Sequence, residues 1–251
     1  MTKYNKRISE ETRYKIAELY GTMKAQDIAD MFGIAIDQVY NVGRTSGKSQ
    51  PQNKEVIIDS VAEQIILSGI LGDGRLRKNG KNKTNTYYSE CHANGETDYL
   101  MWKFDNLGEL TKASKVYGKN KVDDEYGANE FTTLTTPSLN KYYNMTKLEV
   151  IDLLTDLGLL LYLLDDGWSS KYVSGLRFTL CLGELNEEEQ ISVKNRFDNT
   201  FDISSKIYVG KDRPNDLSFS SRDGCVFVEC CKKYLPNSLD IIKKKFKGLI
   251  L

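Results

Sequence analysis

Histidine is almost absent from this chain: His92 is the only one in 251 residues. A nuclease or hydrolase organised around an imidazole base needs at least one well-placed histidine, so hydrolytic chemistry here points to carboxylates and a metal. His92, beside Cys91, reads as a strand or loop residue, not as a ligand. No two of the five cysteines (Cys91, Cys181, Cys225, Cys230, Cys231) form a CxxC pair, which leaves a structural zinc site without support. An odd count without secretory features predicts free, mostly buried thiols. Long apolar runs are missing too. The longest, Leu157 to Leu164, is broken by Gly158 and too short for a bilayer. No signal peptide opens the chain, since Lys3, Lys6 and Arg7 run into Glu10, Glu11 and Arg13. The expected location is therefore cytoplasmic, in a prokaryote, a phage-infected host or an organelle. An excess of charge is also lacking, with 35 basic and 35 acidic side chains. That balance counts mildly against a nucleic-acid partner, which is bound through phosphate neutralisation. Distribution matters more than the total. Lys232, Lys233, Lys243, Lys244, Lys245 and Lys247 crowd the C-terminal stretch against one acid, Asp240, while acids gather at 184–189 and 123–125.

What is present begins with helical spacing over residues 10 to 19, where Tyr14, Ile16 and Leu19 are available for packing. Residues 25 to 44 then place Ile28 and Phe32 four apart, a small Ala29, a turn at Gly33, and Val39 and Val42 three apart. This stretch resembles the helix-turn-helix of resolvases and repressors, in which the glycine reverses the chain and the small residue lets two helices approach. In that motif the second helix enters the major groove. Its outward residues here are Asp37, Gln38, Asn41 and Arg44, of which Gln38, Asn41 and Arg44 suit base edges or phosphates. Polar residues with Gly and Pro follow without periodicity, as in a linker.

Behind the linker the chain repeats itself. ILSGILGDGRL (66–76) ends an apolar helix in Gly72-Asp73-Gly74, and GLLLYLLDDGW (158–168) ends another in Asp165-Asp166-Gly167. Asp73 and Asp166 stand 93 positions apart, as do the triplets Phe104-Asp105-Asn106 and Phe197-Asp198-Asn199. Ser114-Lys115-Val116-Tyr117 then matches Ser205-Lys206-Ile207-Tyr208 at an offset of 91. Each copy reads as helix, hairpin, helix, hairpin. Aromatic and β-branched residues predict strands at 84–91, 176–182, 115–122 and 203–209, and helical spacing covers 96–110 and 187–197. Ser60 and Glu63 form a capping box for the first motif helix. The predicted organisation is an all-α unit at 1–46, a linker at 47–55, and half-domains at 56–146 and 147–251.

One apolar helix ending in Asp-Gly is an ordinary helix stop. Two at the same place in a repeat are different. If the helices pack about a pseudo-twofold axis, Asp73 and Asp166 become neighbours, and the carbonyl ends of both helices add negative partial charge. A hard divalent ion such as Mg²⁺ (or Mn²⁺) would relieve that repulsion, and would activate water and stabilise charge on a phosphate. Close helix contact needs small residues, supplied in the first helix by Ser68, Gly69 and Gly72.

ILSGILGDG and LLLYLLDDG resemble the paired motifs of LAGLIDADG homing endonucleases, and the repeat carrying them covers about 200 of the 251 residues. The resemblance implies an α+β fold: a pseudo-twofold duplicated αββαββ core with antiparallel, saddle-shaped sheets on the major groove, its motif helices at the interface. It implies Mg²⁺-dependent cleavage of both strands of a long, asymmetric DNA site, leaving short 3′ overhangs, by a monomer. By the same match Asp73 and Asp166 are the metal-binding acids, the carbonyls of Gly72 and Asp165 also reach metal, and Lys115 and Lys206 are the basic residues that contact the active-site water or phosphate. The chain departs from the pattern where Leu160, Leu161 and Tyr162 replace small residues, so that helix must use Gly158 for the contact or pack with altered geometry. Asp165 beside Asp166 leaves two carboxylates for one position; the Asp-Gly pairing favours Asp166. Alternatives on this scaffold are an RNA-splicing maturase, which would take RNA as a partner, and a transcription regulator, although such regulators typically lose the acids. No intein splice residues flank the unit, so a free-standing or intron-encoded origin is expected.

Overall fold

The computed structural model describes residues 8–20, 22–46, 55–78, 84–112, 114–119, 127–172, 175–211 and 214–247. Most of the sequence-predicted linker and the acids at 123–125 lie outside them.

The first three helices are α1 (Glu10–Leu19), α2 (Ala25–Phe32) and α3 (Ile36–Thr45). Ser9 caps α1 by accepting the Thr12 amide, and α2 stops at Gly33, whose φ of 59° is left-handed backbone that suits glycine. Ile16, Ile28, Ala29, Val39 and Val42 form a core of their own. Tyr14 is not part of it: the ring is 68% exposed, because Ile16 takes the inward face of α1. Gly43 is required by contact, since a methyl there would overlap the Tyr20 ring.

The remaining chain is a duplicated α+β core. Its first copy runs α4 (Ser60–Leu71), β1 (Gly74–Lys78), β2 (Thr86–Ala93), α5 (Thr97–Asn106), β3 (Tyr117–Lys119), β4 (Ala128–Thr132) and a short α6 (Asn140–Tyr143). The second runs α7 (Lys147–Leu153), α8 (Asp156–Asp166), β5 (Gly167–Tyr172), β6 (Gly175–Cys181), α9 (Glu187–Phe201), β7 (Lys206–Tyr208), β8 (Asp216–Phe219), α10 (Ser221–Tyr234) and α11 (Asp240–Lys245). Each copy makes a four-stranded antiparallel sheet, in the orders β1-β2-β4-β3 and β5-β6-β8-β7. The matching orders are the structural form of the sequence repeat. One apolar core, including Ile65, Ile66, Leu159, Leu160, Leu161 and Leu164, runs through both copies.

The paired helices α4 and α8 are buried along nearly their whole length. Gly158 makes the contact near the start of α8: a methyl there would overlap the Gln64 carboxamide of α4. Gln64 also accepts the Thr155 amide (2.8 Å) and donates to the Leu153 carbonyl (3.1 Å), which fixes the entry to α8. At the other end a methyl on Gly72 would come within 2.9 Å of Asp165 Cβ. Gly69 serves a different purpose from the helix contact expected of it, because a methyl there would overlap the Tyr88 hydroxyl of β2.

Three further expectations are corrected. The cap of α4 is Asp59, which accepts the Val61 and Ala62 amides, and Glu63 instead receives Lys141 and the Tyr142 hydroxyl. Residue 59 is the last before helical backbone, so its side chain has the geometry to cap. The helix expected over 96–110 ends at Asn106, where a 3-10 turn at Gly108–Leu110 takes over. Only Cys230 and Cys231 of the free cysteines are buried, and Cys225 is exposed on α10.

Candidate active site at the paired helix ends

The C-terminal ends of α4 and α8 lie together, and each runs directly into a strand. Gly72 closes α4, Asp73 follows, and β1 starts at Gly74; Asp166 is the last residue of α8, and β5 starts at Gly167. Burial pushes the Asp166 carboxyl up to about 7, with Asp73 and then Asp165 as the charges that add to the shift. The acids therefore interact as the duplication requires. Asp73 is the more open of them, with 41% of its side chain exposed.

Asp165, one residue before Asp166, faces a different environment. Its side chain is fully buried and accepts Lys103 Nζ through both oxygens (2.7 and 2.9 Å) and the Tyr99 hydroxyl (2.9 Å). Burial raises Asp165 to about 6, against the pull of Lys103. Lys103 also donates to Glu90, another fully buried carboxylate. Burial works against the Lys103 charge, but Asp165 and Glu90 outweigh it and push the ammonium up to about 12. Glu90 in turn contacts His92 Nε2 (2.8 Å) and receives the Tyr88 hydroxyl (2.5 Å). Burial opposes its charge, yet Lys103 and His92 hold Glu90 down at about 2.

Asp73, His92 and Asp165 offer ligand atoms within 4.8 Å of one another. Two of them already have partners within the protein. Despite burial, hydrogen bonds to Glu90 and Glu96 raise His92 to about 9. The Asp165 oxygens are engaged by Lys103 and Tyr99. Asp73 Oδ2 lies 3.5 Å from His92 Nδ1 and its side chain is 41% exposed. Asp166 lines a cavity of about 410 Å³ together with Gly72, Gly74, Arg75, Tyr162 and Lys147. The donors available at these helix ends are carboxylate and carbonyl oxygens, the set that suits a hard divalent ion.

The other residues singled out in the sequence are dispersed. Lys115 is exposed just before β3, and Lys206 is the exposed first residue of β7. Those are the sheet edges opposite β1 and β5, so three strand spacings, or roughly 14 Å, separate them from the strands that follow the acids. In α3, Asn41 and Arg44 are exposed and bonded to each other (3.3 Å), while the Gln38 carboxamide accepts the Ala35 amide. Gln38 thus serves the start of its own helix.

Sequence reasoning missed Glu90, Tyr99, Lys103 and Lys245. A signal existed for the first: Tyr88, Glu90 and His92 alternate along β2, so a charged pair shares the face of a buried tyrosine. Lys103 likewise falls four positions after the buried Tyr99 on α5. Lys245 belongs to a run of lysines read as a basic tail. Its ammonium is half-buried and donates to the carbonyls of Asp165 (3.4 Å) and Gly167.

Known proteins share this fold. The solved structure of the homing endonuclease I-WcaI bound to its DNA recognition sequence superposes with a TM-score of 0.60 over 76% of this chain and 88% of that one, at 18% identity, which is a likeness of fold. Curated relatives include proteins named RecA from Mycolicibacterium flavescens, 24% identical over 205 residues, and from Mycobacterium shimoidei, 22% identical over 207 residues. The chain spans about half the length of these relatives, 47% in each, and the match takes in 74% of the chain. The family model for LAGLIDADG DNA endonucleases matches residues 63–227, from the first turn of α4 into α10 and so across both acid-bearing helix ends. The chain belongs to the LAGLIDADG DNA endonuclease family.

Proposed function

We propose that this protein is a site-specific double-strand DNA endonuclease that hydrolyses phosphodiesters with divalent metal held by Asp73 and Asp166. The observation that carries the reading is the pairing of those acids. Two carboxylates meet at the negative ends of two buried helices, and burial with Asp73 lifts Asp166 to about 7. A structural helix stop has no use for such a pair. Mg²⁺ or Mn²⁺ bound there would neutralise charge on the scissile phosphate and acidify a water. The chain's own part is to hold the acids in register. Gly72 and Gly158 let α4 and α8 approach, and Lys103 with Tyr99 engages Asp165, so that of the two adjacent aspartates Asp166 is the one lining the cavity. The carbonyls of Gly72 and Asp165 complete the oxygen set in this reading.

The partner is duplex DNA with a long, asymmetric target, taken up by a single chain whose two halves serve one strand each. Lys115 and Lys206, exposed at the sheet edges, would meet its phosphates, and α3 of the N-terminal unit would add contacts through Asn41, Arg44 and Gln38. The test is cleavage selection on a randomised DNA library with Mg²⁺ and with EDTA. Mg²⁺-dependent double-strand cuts at one long site are the expected outcome. Specific retention without cutting would favour a regulator on the same fold. Asp73→Asn and Asp166→Asn should each lower cleavage by about two orders of magnitude or more while largely sparing binding; cutting at the original rate in either variant would overturn the roles given to them.

A further inference from the structure

The chain enters the duplicated core on one side of it. Val56 and Ile58 pack on the apolar core while Ile57 between them is 93% exposed, so this strap lies along the core ahead of α4. The Val56 amide donates to Ser138 Oγ (2.8 Å), in the 3-10 turn Pro137–Leu139. That turn and α6 are fastened to the outer end of the first sheet. The Thr136 amide donates to the Thr86 carbonyl (2.9 Å), and the Thr86 hydroxyl donates to Asn140 Oδ1 (2.7 Å). Lys78 holds its ammonium over the Tyr143 ring, 4.8 Å from the centroid. Thr86 and Lys78 are themselves paired, at the end of β1 remote from Asp73. The N-terminal helices are therefore tethered at the outer end of the first sheet.

Lys171 holds the corresponding place on β5, 93 positions after Lys78. Because α4 and α8 pack with their C-terminal ends together, the twofold relation between the copies sends β1 and β5 off in opposite directions. Each strand advances roughly 13 Å from its glycine to its lysine. With about 9 Å between packed helices, the outer ends lie roughly 35 Å apart. Eight residues separate Ser46 from Glu55, which cannot bridge more than roughly 30 Å. DNA beyond the first sheet is within that reach, and DNA beyond the second is not. Charge is distributed the same way: β1 exposes Arg75, Arg77 and Lys78, whereas β5 has Trp168, Ser170 and one cation, Lys171. We infer that α3 lands on duplex DNA just outside the half-site covered by the first sheet, through the exposed Asn41 and Arg44, so that the contact runs about one helical turn further on that side than on the other. This rests on the DNA-directed reading above and adds to it a polarity of the target.

The probe is a duplex recovered by binding to the full-length chain, in EDTA, from a library with a randomised centre and long fixed flanks. Hydroxyl-radical footprinting on it should show protection reaching roughly ten base pairs further on one side. Asn41→Ala combined with Arg44→Ala should erase that extension and leave the central protection in place. An iron chelate attached at Lys78→Cys or at Lys171→Cys, each compared with the equally treated parent chain, reports which sheet faces which side. Strand scission from Lys78→Cys should fall on the extended side, and scission from Lys171→Cys on the other. A symmetric footprint, an extension on the Lys171→Cys side, or one that survives the double substitution would each overturn the inference. None of these readouts needs the protein to cut. A symmetric footprint from a protein that does cut would sink the inference alone. A one-sided footprint from a protein that never cuts would sink the nuclease reading and leave the polarity standing, and failure to retain any duplex would sink both.

Discussion

Lys103 is the residue on which the first half of the site turns. It is a fully buried ammonium between two fully buried carboxylates, Glu90 and Asp165. Removing one member of such a group leaves charge buried without compensation, which is far more destabilising than losing the whole group. Lys103→Met should therefore lower the free energy of unfolding by about 3–5 kcal/mol, measured by urea denaturation. Adding Glu90→Gln should recover part of that loss; a smaller effect of the single change would mean that the cluster is solvated in solution. Glu96 sets a pH dependence at the same scale. The His92 hydrogen bond, against opposing burial, and then Lys244 hold its carboxyl down at about 2, below the ordinary 4.5. A depressed carboxyl contributes stability that is complete above its unfolded pKa and is lost as pH falls through the folded one. Unfolding free energy should decline between pH 4.5 and pH 2, and Glu96→Gln should flatten that limb. An unchanged acid profile in the variant would remove Glu96 from the account.

Among the elements, the motif helices show how a single small residue is chosen by its neighbour. Gly72 and Gly158 keep α4 and α8 close, whereas Gly69 makes room for the Tyr88 hydroxyl, which reaches Glu90. Gly69→Ala should cost about 1–3 kcal/mol, because the methyl must displace a buried ring in a packed core. The same change in a Tyr88→Phe background should cost less, since the overlapping hydroxyl is gone. Equal costs in both backgrounds, read from thermal or urea unfolding, would show that the strain lies elsewhere. Leu160, Leu161 and Tyr162 depart from the small residues of the family motif. All three are buried, and the helix contact is made instead by Gly158 at one end and by Asp165 against Gly72 at the other.

On the scale of the molecule, the N-terminal helices have a core separate from the duplicated unit. Deleting residues 1–46 should therefore leave the cooperative unfolding of the remainder in place. It should weaken DNA binding and reduce the salt dependence of the binding constant, because phosphate contacts are lost. An identical binding isotherm would show that these helices do not touch DNA. Among the described residues no helix is long and apolar enough to cross a membrane, in keeping with the short, glycine-broken run at 157–164.

The repeat, the α+β class, the turn at Gly33 and the positions of Asp73 and Asp166 were legible in the sequence, because each is written in local spacing. An apolar period of 3.6 marks a helix, alternation marks a strand, and a constant offset of 93 residues marks duplication. The Asp-Gly pairing favoured Asp166 over Asp165 there, whereas the partners of Asp165 depend on packing. Asp165 is engaged by residues 62 and 66 positions earlier, brought to it only when β2 and α5 fold against α8. His92 read as an ordinary strand residue, yet it is buried with Glu90 and Glu96 against its two ring nitrogens. Lys245 read as one lysine in a basic tail, and α11 carries it 80 positions back to the end of α8. Local periodicity decides which elements form. Which charges meet is decided by burial, since a lysine or carboxylate withdrawn from water must find its partner wherever in the chain the fold has placed one.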